Sequence, residues 1–60
     1  MTKIYQEKNG YVVLDVNPIN GFFTVSLKTE SGNLLDKISC DTKEDAMDYV
    51  KSFKKIAKTF

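Results

Sequence analysis

The hydrophobic pattern of this 60-residue chain changes period once, at Asp41. Before that point Phe22-Phe23-Thr24-Val25-Ser26-Leu27-Lys28 alternates apolar with polar residues, and a second alternating run ends at Cys40. From Asp41 to Phe60 the apolar residues recur at spacings of three and four. A period of two suits a half-buried strand, and a period near 3.6 suits an amphipathic helix. The expected fold is α+β: a four-stranded antiparallel meander in the order β-β-β-β-α, with one C-terminal amphipathic helix packed on one sheet face. Residues 1–60 form a single small domain on this reading.

The turn chemistry supplies a provisional register. Asn9-Gly10 is a strong hairpin signal, because both residues tolerate positive φ. With those two as the loop, Lys8 pairs with Tyr11, Glu7 with Val12 and Tyr5 with Leu14. Tyr5, Val12, Leu14 and Val16 then share the core face, and Ile4, Gln6, Lys8, Tyr11, Val13 and Asp15 share the other. Asn17-Pro18-Ile19-Asn20-Gly21 breaks the strand. Ile19 either tucks back over the sheet edge or stands out as an apolar anchor. The second hairpin turns at Ser31-Gly32, pairing Glu30 with Asn33, Val25 with Ile38 and Phe23 with Cys40. Phe23, Val25, Leu27, Ile38 and Cys40 face the core. Phe22, Thr24, Ser26, Lys28, Leu35, Lys37 and Ser39 face away, and the Leu34-Leu35 pair puts one Leu on each face.

Asp41 followed by Glu44, or Thr42 followed by Asp45, fits a helix-capping pattern. Ala46, Tyr49, Val50, Phe53, Ile56, Ala57 and Phe60 make one apolar stripe wide enough to cover a sheet face.

A domain this small buries only about 60% of the surface its unfolded chain exposes, so it needs help from a disulfide, a metal or association. Cys40 is the only cysteine and there is no His, which removes a disulfide and the commonest transition-metal ligand. Docking on a partner or forming a homodimer is the aid that remains. Nine basic residues against eight acidic ones are not the electrostatic footprint of a nucleic-acid coat. All nine are Lys, so the planar fork that reads guanine is missing. No apolar run approaches membrane-spanning length and no leader is visible, so a cytoplasmic protein that does not enter a membrane is expected. Such a Lys-rich, Arg-free chain also suits a phage or plasmid product.

Catalytic residues, a cofactor and a metal site are not expected. Without His, a Ser or Cys nucleophile lacks its usual base, and Cys40 falls on the core face, where a thiol is inert. Asp41, Glu44, Asp45 and Asp48 offset the positive end of the helix macrodipole and match no calcium-loop spacing. Two surfaces are left. The uncovered sheet face carries Tyr11, Val13, Phe22 and Leu35 beside Lys8, Lys28 and Lys37, and with Ile19 it offers an apolar docking patch. Lys51, Lys54, Lys55 and Lys58 line one flank of the helix with Lys43; their like-charge spacing of four is unfavourable for an isolated helix.

Thr42-Lys43-Glu44-Asp45-Ala46, opening a helix after a Gly-containing hairpin, resembles a recurring hairpin–helix layout. Over residues 21–60 the chain is similar to the arm-type DNA-binding domains of tyrosine recombinases and to AP2 domains. That resemblance implies a sheet laid in the major groove with the helix packed behind it. The matching face here carries Lys28 and Lys37 but no Arg, with Phe22 and Leu35 among them. The leading expectation is thus a non-enzymatic interaction module, a regulator or inhibitor that binds another protein through Tyr11, Val13, Ile19, Phe22 and Leu35. The alternative is a nucleic-acid-binding module using Lys28, Lys37, Lys51, Lys54, Lys55 and Lys58.

Overall fold

The computed structural model describes residues 2–59. Strands β1 (Thr2–Gln6), β2 (Gly10–Val16), β3 (Phe23–Thr29) and β4 (Leu34–Cys40) form one antiparallel sheet in the order β1-β2-β3-β4, and α1 (Lys43–Thr59) packs on one face. The change of period at Asp41 therefore marks the passage from sheet to helix, and the α+β meander is the fold.

The core forms between the two middle strands and the helix. Val12 and Leu14 of β2, Val25 and Leu27 of β3 and Cys40 of β4 meet Ala46, Val50, Phe53 and Ala57 of α1. The helical members are spaced four, three and four, so they lie in one narrow row. Ala46 and Ala57 are fully buried at the two ends of that row, where their small side chains let the helix lie close to the sheet. Burying one large apolar side chain fully is worth about 1.5–3 kcal/mol, so Val12, Val25 and Val50 carry much of the stability.

The stripe is narrower than its periodicity suggests. Tyr49 and Ile56 stay 39% and 45% exposed, because the helix rides over β2 and β3 and leaves the outer strands only partly covered. Phe60 lies outside the described residues. Thr42, rather than Asp41, is the N-cap: its Oγ1 accepts the Asp45 backbone N–H at 3.2 Å.

The first hairpin turns one residue earlier than Asn9-Gly10 predicts. Lys8-Asn9 is the tip, Glu7 N–H donates to the Gly10 carbonyl at 2.9 Å, and Gln6 pairs with Tyr11 and Tyr5 with Val12. The expected Lys8–Tyr11 and Tyr5–Leu14 pairings shift by two residues, which leaves every side chain on its expected face. Gly10 does not take positive φ. Asn9 has another task, closing the C-terminus of the helix: its backbone N–H donates to the Ala57 carbonyl at 2.9 Å and its Nδ2 to the Lys58 carbonyl at 3.4 Å.

The second hairpin also departs at its turn. Gly32 takes φ +93°, and its N–H donates to the Thr29 carbonyl at 2.9 Å. Thr29, not Glu30, faces Asn33, with Thr29 N–H donating to the Asn33 carbonyl at 3.0 Å. This is a three-residue loop with glycine at its left-handed position. The resulting one-residue offset would invert β4, but a bulge absorbs it: Lys28 faces Leu34, Leu27 faces Asp36, and Leu35 is the extra residue. Beyond the bulge, Val25–Ile38 and Phe23–Cys40 pair as expected. Leu34 and Leu35 are both about half exposed, so neither joins the core, and Leu34, opposite Lys28, lies on the open face.

The loop between β2 and β3 is held by its own polar groups. Asn17 N–H donates to the Phe22 carbonyl at 2.9 Å and Gly21 N–H to the Asn17 carbonyl at 2.8 Å. The side chains of Asn17 and Asn20 accept the N–H groups of Ile19 and Phe22, both at 2.9 Å. Gly21 supplies the positive φ of +73°. Ile19 stands 93% exposed at the tip, so it does not tuck over the sheet.

Candidate protein-binding surfaces

The open face of the sheet consists of three rows set by the strand register. Gln6, Tyr11, Lys28 and Leu34 make the first row, and Ile4, Val13, Ser26 and Lys37 the second. Thr2, Asp15, Thr24 and Ser39 make the third, which is wholly polar; there the Thr2 hydroxyl donates to Asp15 Oδ1 at 2.9 Å. Ile4 is 60% exposed, while Tyr11 and Val13 are half-buried between their neighbours. The Tyr11 side chain reaches across β3 to the turn, where its hydroxyl lies 3.6 Å from the point at which a Cβ on Gly32 would stand. Ile4, Val13 and Tyr11 thus form an apolar cluster on β1 and β2, separated by Ser26 and Lys28 of β3 from the half-exposed Leu34 of β4, with Lys37 beside Ser26.

The five residues expected to bind a partner do not form one patch. Tyr11 and Val13 belong to this cluster, and Leu35 is the extra residue of the bulge on β4. Ile19 and Phe22 lie at the opposite end of the sheet, near the start of the helix, because β3 and β4 each run seven residues between the two ends. Phe22 precedes β3 rather than facing outward from it. It is 48% exposed and lines an open cleft with Ile38, Cys40, Asp45, Asp48 and Tyr49. Asp41 and Ser39 complete the cleft, whose volume is about 670 Å³.

The lysines are divided as well. Lys28 and Lys37 stand on the open face, whereas Lys51, Lys54, Lys55 and Lys58 are on the helix, on the other side of the sheet. Lys54 is engaged structurally, with its Nζ 3.9 Å from Glu7 Oε2 and 5.4 Å from the Tyr5 ring centroid. Lys3 approaches the same ring at 5.2 Å. These contacts account for Lys54 alone among the helix lysines, whose ammonium finds both an aromatic face and a carboxylate on the β1 side.

Cys40 is 8% exposed, on the core face as expected. Burial, followed by the carboxylates of Asp45 and Asp41, pushes its thiol up from the ordinary range, which keeps it protonated and unreactive. Among the described residues no group of three or more potential ligands could hold a metal ion. No helix there is long and apolar enough to cross a membrane. Sequence reasoning missed Leu34, Tyr49 and Ile56 as exposed residues, and it placed Ile4 on the open face without offering it as a binding residue. Their exposure depends on how few strands one helix covers, and the only forewarning was the seven-residue spacing of Tyr49 and Ile56 on one edge of the stripe.

Comparison with protein-family models, with curated proteins and with solved structures finds no match for this chain.

Proposed function

We propose that the chain is a small, non-enzymatic, cytoplasmic interaction module that docks on another protein through its open sheet face and regulates or inhibits it. The observation that carries this reading is the apolar cluster of Ile4, Val13 and Tyr11, with Leu34 beyond Lys28, on the face the helix leaves bare. Exposed aromatic and aliphatic side chains grouped on an uncovered face are characteristic of interfaces. The chemistry of the chain supports a binding role over a catalytic one, because it lacks His and its only thiol is buried and held protonated.

A photo-crosslinking residue at Val13, compared with the same residue at Lys55 on the helix, tests the reading in cells that make the protein. Adducts to one larger protein at position 13 alone, lost when Ile4 becomes Asp, support it. Equal labelling at the two positions overturns it.

A nucleic-acid reading rests on Lys28, which sits between Tyr11 and Leu34 in one row, where an aromatic ring beside a cation can stack on a single-stranded base. A mobility shift with mixed DNA and RNA that weakens steeply as salt rises supports this second reading, and no shift at low salt removes it.

A further inference from the structure

We infer that the cleft between β4 and the first half of α1 receives an arginine or lysine side chain from a basic segment of another protein. Phe22, Ile38 and Tyr49 give the cleft apolar walls, and Asp41, Asp45 and Asp48 stand around it. Its volume of about 670 Å³ falls within the range of ligand pockets, about 300–1,000 Å³. Both rings are open to an incoming group, Phe22 being 48% and Tyr49 39% exposed. No lysine lines the cleft.

The needs of the helix do not account for all three carboxylates. The positive end of the macrodipole acts within the first turn, which holds Glu44 and Asp45 but not Asp48. Asp45 and Asp48 are neighbours at a spacing of three, where like charges repel. Among the described residues Lys54–Glu7 is the ion pair present, and it lies on the opposite flank, so none of these three acids is neutralised there. Yet they converge on the cleft. The Cys40 thiol, 8% exposed, lines it, and burial followed by Asp45 and Asp41 pushes that thiol up. Negative charge gathered between aromatic walls is the complement of a cation.

A side chain suits this cleft better than an added strand or a metal ion. β4 is an edge of the sheet, but Lys37 N–H donates to Asp36 Oδ1 at 2.8 Å, which withholds that donor from a further strand. No group of three or more potential ligands among the described residues could hold a metal ion. A guanidinium matches most fully, because its plane stacks on an aromatic face while its N–H groups donate to carboxylates. The cleft lies beside the helix, so this inference does not rest on the docking function proposed for the open face.

Fluorescence anisotropy with a labelled octapeptide alternating Arg and Ser tests it, beside the same peptide carrying citrulline, which keeps the shape of Arg without its charge. The native chain should bind the Arg peptide and not the citrulline one. Asp45→Asn combined with Asp48→Asn should weaken binding about tenfold, as two partly screened ion pairs would. Glu30→Gln combined with Glu44→Gln removes the same charge outside the cleft and should leave the affinity within about twofold of native. Ile4→Ser, on the open face, should change nothing, and circular dichroism should show every variant folded. Binding of neither peptide, equal binding of both, or equal losses from acids inside and outside the cleft would each overturn the inference. So would an unchanged affinity after the Asp45 and Asp48 exchange, or a loss at Ile4→Ser as large as theirs, which would move the site to the open face.

Discussion

The two flanks of α1 rest on the same sheet yet are finished differently. Toward β1, Met47 packs against the core, and Lys54 reaches both Tyr5 and Glu7. Toward β4, Tyr49 contacts Phe53 at a ring separation of 6.2 Å but remains substantially exposed, as does Ile56. Apolar residues at equivalent helical spacing therefore have unequal roles. The difference follows from the position of the helix, which covers the two central strands and has only long cationic side chains to bridge one remaining gap. Lysine stems can cover apolar surface while the ammonium stays in water; the short acids Asp45 and Asp48 on the other flank cannot.

The largest expected effect separates the centre of the stripe from its β4 edge. Phe53→Ala should cost about 3–5 kcal/mol, enough to unfold much of a domain this small, whereas Ile56→Ala should cost less than about 1 kcal/mol because nearly half of that side chain is already in water. Urea denaturation of the two variants checks this, and equal losses would mean that the flanks are alike. Met47→Ala, on the half-buried β1 flank, should fall between them.

Changes at the ends act on both flanks together and so calibrate the comparison. Gly32→Ala forces a side chain into φ +93° without creating a clash, since its Cβ would meet the Tyr11 hydroxyl at an ordinary 3.6 Å. A loss of about 1–2 kcal/mol is expected from backbone strain alone. Thr42→Ala removes the acceptor for Asp45 N–H and should cost about 1 kcal/mol. Thermal unfolding followed at 222 nm reads both.

How legible the molecule was in its sequence differs between faces and edges. The faces could be read because a pleated strand and an amphipathic helix carry their burial in simple periods: Val12, Leu14, Val25, Leu27, Ala46, Val50, Phe53 and Ala57 were all assigned to the core. Turns resisted because residues there serve distant partners. Asn9 reads locally as half of a hairpin signal, yet its hydrogen bonds go to Ala57 and Lys58 at the far end of the chain. Leu34-Leu35 looked like a run in need of two faces, but the bulge that resolves it arises from the three-residue loop at Gly32. The candidate surface was partly legible for the same reasons. Tyr11, Val13, Lys28 and Lys37 follow from alternation, whereas the separation of Ile19 and Phe22 from them, and the cleft at Tyr49, depend on where strands end and how far one helix reaches.

The smallest effect is the most direct test of why the flanks differ. If Lys54 stabilises the β1 side mainly through its charge, Lys54→Met should lose its attraction to Glu7 and to the Tyr5 ring while keeping most of the stem. The Glu7 contact is long at 3.9 Å and the Lys54 side chain is 40% exposed, so the expected loss is about 0.2–1 kcal/mol. A double-mutant cycle pairing Lys54→Met with Tyr5→Leu isolates the ring contact. Coupling that persists in high salt assigns the closure to the aromatic face, because a partly desolvated cation–π contact is screened less than an exposed ion pair. Coupling that vanishes with salt, or a Met variant as stable as the native chain, would leave the stem's coverage of Tyr5 as the whole contribution. The contrast between the flanks would then be one of side-chain length rather than of charge.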